Sequence, residues 1–234
     1  RPAARPQAVH LIAAREAPAS LDGEAVDLGQ TPGDIIVLTA ADTELQCLAA
    51  ARARLGDDFP TLRLASLSRL QHPLSVDLYL ERSVRHARLV VVRLLGGLGY
   101  WRYGCEELVA ACAEQGIALA LLPGDERPDP ELARRSSLPE DILARLHACL
   151  VEGGETNALR FMRQAAALIG RGTAAEPAVA LPRVGLWHPD RGEIGVEALR
   201  DGGRPLALVA FYRALVLAGD TAPVAALIGA LERL

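Results

Sequence analysis

An α/β fold with a doubly wound, mostly parallel sheet of the Rossmann or flavodoxin kind, followed by the start of a second α/β unit, is predicted by three features of the 234-residue chain. Five apolar runs, 9–13 (VHLIA), 34–40 (DIIVLTA), 61–66 (TLRLAS), 88–95 (RLVVVRLL) and 117–123 (IALALLP), are short and continuously apolar. Such runs read as strands covered on both faces. Segments of helical periodicity separate them, and caps and breakers punctuate the junctions. Strand and helix in alternation imply parallel pairing with helices on both faces of a sheet.

The elements follow in order. After the run at 34–40, Thr43 with Gln46 has the spacing of a capping box before LQCLAAARARL. Pro73 suits the first turn of a helix over 73–87, with His72 as the residue that initiates it and Val76, Leu80 and Val84 on one face. Cys105, Leu108, Val109 and Cys112 recur at i, i+3, i+4 and i+7, and Gly116 ends that helix. GDERPDPE then breaks the alternation. Ser137 with Glu140 forms a second capping box ahead of the stripe Ile142, Leu143, Leu146 and Leu150, which Gly153-Gly154 stops. Leu159, Met162, Ala166 and Ile169 mark one more helix.

Residues 1–170 are thus expected as an N-terminal α/β head and 171–203 as a linker with short extended pieces. Residues 204–234 are expected as the first strand and helix of a second, truncated α/β domain, with Val224, Leu227, Ile228 and Leu231 facing a core that the chain does not supply. That late restart and the lack of a first methionine predict an excerpt from a longer polypeptide.

Bulk properties exclude several function classes. A net charge of −4 without blocks of like charge argues against nucleic acid or an anionic membrane as the main partner. Every basic side chain is arginine, so lysine Schiff bases, lysine general bases and phosphate-binding lysines are ruled out. No apolar stretch of about 20 residues suggests a membrane span, and no signal peptide is evident at the start. The four cysteines form no C-x-x-C pair and sit at apolar helical positions, which suits packing in a reducing cytoplasm. The five histidines are scattered without metal-ligand spacing, and no Ser-His-Asp set is present. No catalytic residue and no metal ligand is therefore assigned. Asp42 and Asp220 follow apolar runs, where capping the next helix is their simplest role.

The stretch RLLGGLGYWRYG carries the most chemistry. It follows a strand, where open α/β sheets bind ligands, yet it is no phosphate loop. In G-x-G-x-x-G counted from Gly97 the third glycine falls at Arg102, and after Gly99 and Gly104 a Walker pattern would need Lys where Cys105 and Glu106 follow. Two readings stay open. Tyr100, Trp101 and Tyr103 stack on a flat apolar ring while Arg93 and Arg102 fork onto its carboxylates, or the aromatics close the end of the sheet and Arg93 pairs with a neighbouring acid.

VDLGQTPGDIIVLTAADTEL, HPLSVDLYLERSVRHARLVVVRLLGGLGYWRYG, IALALLPGDERPDPEL, LVEGGETNALRFM and LALVAFYRALVLAGDTAPVAALIGAL together resemble the N-terminal region of the large subunit of aerobic cobaltochelatase, in the cobalt/magnesium chelatase large-subunit family. The resemblance implies part of a cytoplasmic enzyme of cobalamin biosynthesis. That enzyme inserts Co2+, its substrate metal, into hydrogenobyrinic acid a,c-diamide at the expense of ATP. It further implies that two smaller partner subunits hydrolyse the ATP with Mg2+, and that the large subunit holds the tetrapyrrole. Arg93, Tyr100, Trp101, Arg102, Tyr103, Arg213 and Asp220 lie in family-like motifs and are the implied substrate-binding positions. Family members are far longer, and the regions that embrace macrocycle and metal lie mostly beyond these residues, so no cofactor is assigned to this chain. The alternatives are a non-catalytic docking or scaffold domain for the ATPase subunits, and a free-standing flavodoxin-like domain for another small cofactor.

Overall fold

The computed structural model describes residues 24–199 and 206–233; the run at 9–13 lies outside them. The remaining four runs form the strands β1 (Ile35–Thr39), β2 (Leu62–Ser66), β3 (Leu89–Leu94) and β4 (Ala118–Pro123). They pair in the order β2-β1-β3-β4, and each pairing is parallel. The chain winds outward from β1 to β2 and then crosses to β3 on the other side, so the winding direction switches between β1 and β3.

Period-two alternation sends side chains to two cores. Ile36, Leu38, Val90, Val92, Leu119 and Leu121 meet α2 (Pro73–Arg82) and α3 (Arg102–Gln115) on one face. Ile35, Val37, Leu89, Val91, Ala120 and Leu122 meet α1 (Asp42–Ala53), α5 (Glu140–Glu152) and α6 (Gly154–Leu168) on the other. Each large aliphatic side chain buried in this way contributes roughly 1.5–3 kcal/mol. The sheet is therefore the expected doubly wound one. β2 departs from expectation, because it is an edge strand and only Ala65 in it is fully buried.

Several local expectations are corrected. Thr43 and Gln46 make no capping box: α1 begins after Ala41 with no side-chain cap, and Thr39 Oγ1 accepts from the Ala41 amide at 3.2 Å instead. Ser137 does not cap α5, which starts from Pro139. Its hydroxyl accepts from the Leu119 amide at 2.7 Å, as Ser136 does from Leu121 at 2.9 Å. The two serines satisfy outward amides of β4, which would otherwise be an open edge. His72 does initiate α2, its Nδ1 accepting from the Leu74 amide at 3.1 Å ahead of Pro73. The helix stops at Arg82 rather than 87, and Val84–His86 form a separate 3-10 turn. A helix the sequence reading passed over, α4 (Pro130–Arg135), is capped by Asp129, which accepts from the amides of Glu131 and Leu132.

Beyond α6 the chain forms a hairpin of β5 (Leu186–His188) and β6 (Gly192–Ile194), then α7 (Arg213–Ala218) and α8 (Ala222–Leu231). Of the strand and helix expected over 204–234, residues 206–212 pair with none of the described strands. Ser136 and Ser137 take the outward amides of β4, so that edge offers these residues no ladder. All four cysteines are free and buried. Desolvation pushes Cys105 and Cys112 up to about 12, and Cys47 and Cys149 up to about 11. Among the described residues no helix is long and apolar enough to cross a membrane.

Candidate functional site

The glycine-aromatic loop is built around an indole. Gly96 and Gly97 take positive φ values of 90° and 72°, turning the chain out of β3 into a 3-10 turn at Leu98–Tyr100. Trp101 then points inward, is 5% exposed, and its Nε1 donates to the Leu70 carbonyl at 2.7 Å. A Cβ on Gly104 would stand 2.0 Å from the Trp101 ring, so this glycine exists to admit the indole rather than a phosphate. A Cβ on Gly97 would lie 3.0 Å from the Asp129 carboxylate, a charge that repels phosphate from the turn. Tyr103 donates to Asp77 at 2.7 Å, and that hydrogen bond to the neutral phenol pushes its pKa up to about 12. Tyr100 packs against the same core, and Arg102 begins α3 with its side chain exposed.

Arg93 lies on the opposite face of the sheet from this aromatic group. Its guanidinium pairs with Glu44 of α1 and donates to the carbonyls of Pro123 at 3.3 Å, Gly124 at 3.1 Å and Leu150 at 3.3 Å. The two side chains are 13% and 10% exposed, and Glu44 Oε2 is enclosed without a hydrogen-bond partner. This ion pair fills the point between β1 and β3 where the winding switches, the position at which open α/β sheets usually hold a ligand. Ala214, Leu217 and Ala218 of α7 roof the 290 Å3 space that remains. The chain thus spends Arg93 on joining β3, α1, α5 and the turn after β4.

A larger cleft of about 710 Å3 opens elsewhere, between the α5–α6 turn, residues 179–193 and residues 209–221. Gly153 and Gly154, at φ values of 62° and 76°, let α7 approach this turn: a Cβ on Gly153 would stand 3.2 Å from the Leu217 carbonyl. The buried Asn157 accepts from the Val179 amide and donates to the Val179 carbonyl, both at 2.8 Å, holding the extended segment as a neighbouring strand would. Trp187 and Phe211 meet edge to face in the cleft wall, with centroids 6.0 Å apart and planes at 79°. Arg213 donates to the carbonyls of Pro182 at 3.0 Å and Leu181 at 2.9 Å and lies 3.8 Å from the Glu152 carboxylate. Arg183 stands exposed at the rim. Asp220 belongs to the end of α7, its amide donating to the Leu215 carbonyl at 2.9 Å beside Gly219; α8 begins after Thr221 with no side-chain cap.

The structure therefore separates the expected positions into three places. Tyr100, Trp101 and Tyr103 lie on one face of the sheet, Arg93 on the other, and Arg213 at the cleft. Arg183 and Trp187 went unassigned because they fall in the expected linker, and Phe211 because it stands 24 residues beyond Trp187 in the expected second α/β unit. The available signal was the rarity of the two aromatic residues, since such residues make up only 4% of the chain. Chemically, the cleft offers aromatic faces and guanidinium groups, a combination suited to a flat apolar body edged with carboxylates. Among the described residues no group of three His, Cys, Asp or Glu side chains is placed to hold a metal ion.

A profile of the family described as CobN/Magnesium Chelatase matches residues 147–234, a span that contains every residue lining the cleft. The chain is 46% identical over 235 residues to the aerobic cobaltochelatase subunit CobN of Sinorhizobium sp., covering 96% of this chain and 18% of that protein. It is 42% identical over 221 residues to the subunit of the same name from Pseudomonas aeruginosa, covering 93% of this chain and 18% of that one. In fold it is similar to the catalytic subunit of cobaltochelatase from Mycobacterium tuberculosis, with a TM-score of 0.63 and 28% identity, over 85% of this chain and 15% of the other. The chain spans less than a fifth of the length of these relatives. Similar along nearly its whole length to CobN subunits from two organisms, and in fold to a third cobaltochelatase subunit, the chain belongs to the CobN/magnesium chelatase family and corresponds to its N-terminal region.

Proposed function

We propose that the chain is the head of the tetrapyrrole-binding large subunit of an ATP-dependent cobaltochelatase, which inserts Co2+ into hydrogenobyrinic acid a,c-diamide in the cytoplasm. The similarity of 46% along 96% of the chain to a CobN subunit carries this reading. Two smaller partner subunits hydrolyse ATP with Mg2+, and the large subunit grips the ring.

Within that enzyme the cleft at residues 153–221 is the part of the chain that faces the corrinoid. Trp187 and Phe211 give an apolar wall for the macrocycle, and the exposed Arg183 gives a forked donor for its peripheral carboxylates and amides, while Arg213 holds the cleft wall through the Leu181 and Pro182 carbonyls. Arg93 and Trp101 serve the sheet itself, because their polar atoms are already engaged inside it. Distortion of the ring, driven by hydrolysis elsewhere, lets the metal enter.

The test is a titration of the complete large subunit with hydrogenobyrinic acid a,c-diamide, followed by corrin absorption and tryptophan fluorescence. Of the two tryptophans in these 234 residues, Trp101 is enclosed and Trp187 is half-exposed, so the part of the fluorescence change that Trp187→Leu removes reports on the cleft. Trp187→Leu is expected to weaken binding about tenfold, the effect of losing about 1.4 kcal/mol of stacking. Unchanged binding and unchanged insertion rate in this variant overturn the reading. Unchanged binding with lost association of the ATPase subunits transfers the cleft to a docking role.

A further inference from the structure

The outer surface of residues 206–231 is apolar, and nothing among the described residues covers it. The α8 helix reads APVAALIGAL, ten residues without one charged side chain, yet only Val224 in it is buried. Leu227 is 48% exposed, and Leu206, Leu208 and Tyr212 are 61%, 69% and 85% exposed. Among the described residues, every exposed large hydrophobic side chain except Leu74 and Leu95 lies at or after Val179.

A helix that is apolar all round belongs inside a large protein or a bilayer. The bilayer is excluded by length, since ten residues rise about 15 Å against a hydrocarbon core of about 30 Å. A position flat in the membrane interface is excluded by charge, because that mode needs a basic polar face. From Leu206 to Leu231 the only charged residues are Arg213 and Asp220. The missing cover is protein.

Residues 208–212 already alternate as a strand would. Val209 and Phe211 line the cleft and are half-buried, whereas Leu208 and Tyr212 face out. Their backbone is extended at Tyr212, with φ −73° and ψ 134°, and they pair with no described strand. An apolar extended segment followed by an apolar helix is a βαβ unit without its second strand, and a parallel strand reaches its stability only beside a partner strand.

We propose that residues 206–231 are a docking face for a second α/β layer carried by the same large-subunit polypeptide, with 206–212 added as a strand to a sheet of that layer and α8 laid on the sheet's face. Two observations select this occupant over a second copy or a separate subunit. CobN subunits are more than five times as long as the matched segment, which covers 18% of them. A tethered layer acts at an effective concentration that a free partner does not reach. The family match spans residues 147–234, so the cleft and α8 fall within one family region that the longer relatives continue.

Hydrogen exchange on the full-length subunit and on the 234-residue chain tests the proposal. In the full-length subunit alone, amides of 206–212 and of α8 are expected to exchange at least about a hundredfold more slowly than in the 234-residue chain. The double variant Leu208→Asp, Leu227→Asp is expected to abolish that difference while the amides of β1 and β3 keep their protection, which shows that the head still folds. Equal exchange in the two forms overturns the proposal. So does protection that appears only when the ATPase subunits are added, or protection that tracks self-association of the 234-residue chain in sedimentation.

Discussion

The strand β3 and the segment 206–212 are comparable in composition and opposite in fate. LVVVRL is enclosed on both faces, with Leu89, Val90, Val91, Val92 and Leu94 all inaccessible, whereas LALVAFY leaves Leu206, Leu208 and Tyr212 largely in solvent. β3 has β1 and β4 as neighbours in the sheet and helices on either side. The later segment has one wall, through Val209 and Phe211, and its backbone pairs with none of the described strands. Apolar composition sets only a demand for cover. Whether the demand is met depends on how many layers the fold brings to the place.

Removing a partner inside the head is the strongest way to sharpen this contrast. Arg93→Leu leaves the enclosed carboxylate of Glu44 without its counter-charge and is expected to cost about 3–5 kcal/mol in urea unfolding. The double variant Arg93→Leu, Glu44→Leu is expected to recover most of that loss. A single variant as stable as the parent would show that the pair does not join the elements as described.

Overfilling the head comes next. Gly104→Ala places a methyl group against the Trp101 indole and is expected to cost about 1–3 kcal/mol, with a matching fall in the unfolding midpoint. Adding Trp101→Leu is expected to relieve part of the cost, because the clash is with the ring itself.

The smallest effect is expected in the other region. In the 234-residue chain, Leu206→Ser and Tyr212→Ser should each change stability by no more than about 0.5 kcal/mol, the usual scale for exposed sites. A cost near that of Gly104→Ala would break the comparison by showing that the segment is covered after all.

Local signals in the sequence determined much of the head. Continuous apolar runs placed β1 to β4, Pro73 behind His72 marked the start of α2, and Gly116 marked the end of α3, since φ of 67° is a conformation that glycine adopts without strain. These depend on neighbours along the chain, so spacing and residue type reveal them. The short α4 escaped because six residues show too little periodicity, and the two expected capping boxes failed because α1 starts ahead of Thr43 and because Ser137 found a partner in β4 that spacing alone does not disclose.

Tertiary structure decided the site. That Arg93 and Trp101 fall on opposite faces of the sheet, and that Trp187, Phe211 and Arg213 share a cleft, follows from how the strands wind and how Asn157 holds the segment at Val179. Those meetings join residues far apart in the chain. Their geometry is set by the direction of a crossover and the register of a sheet, which no stretch of sequence carries by itself.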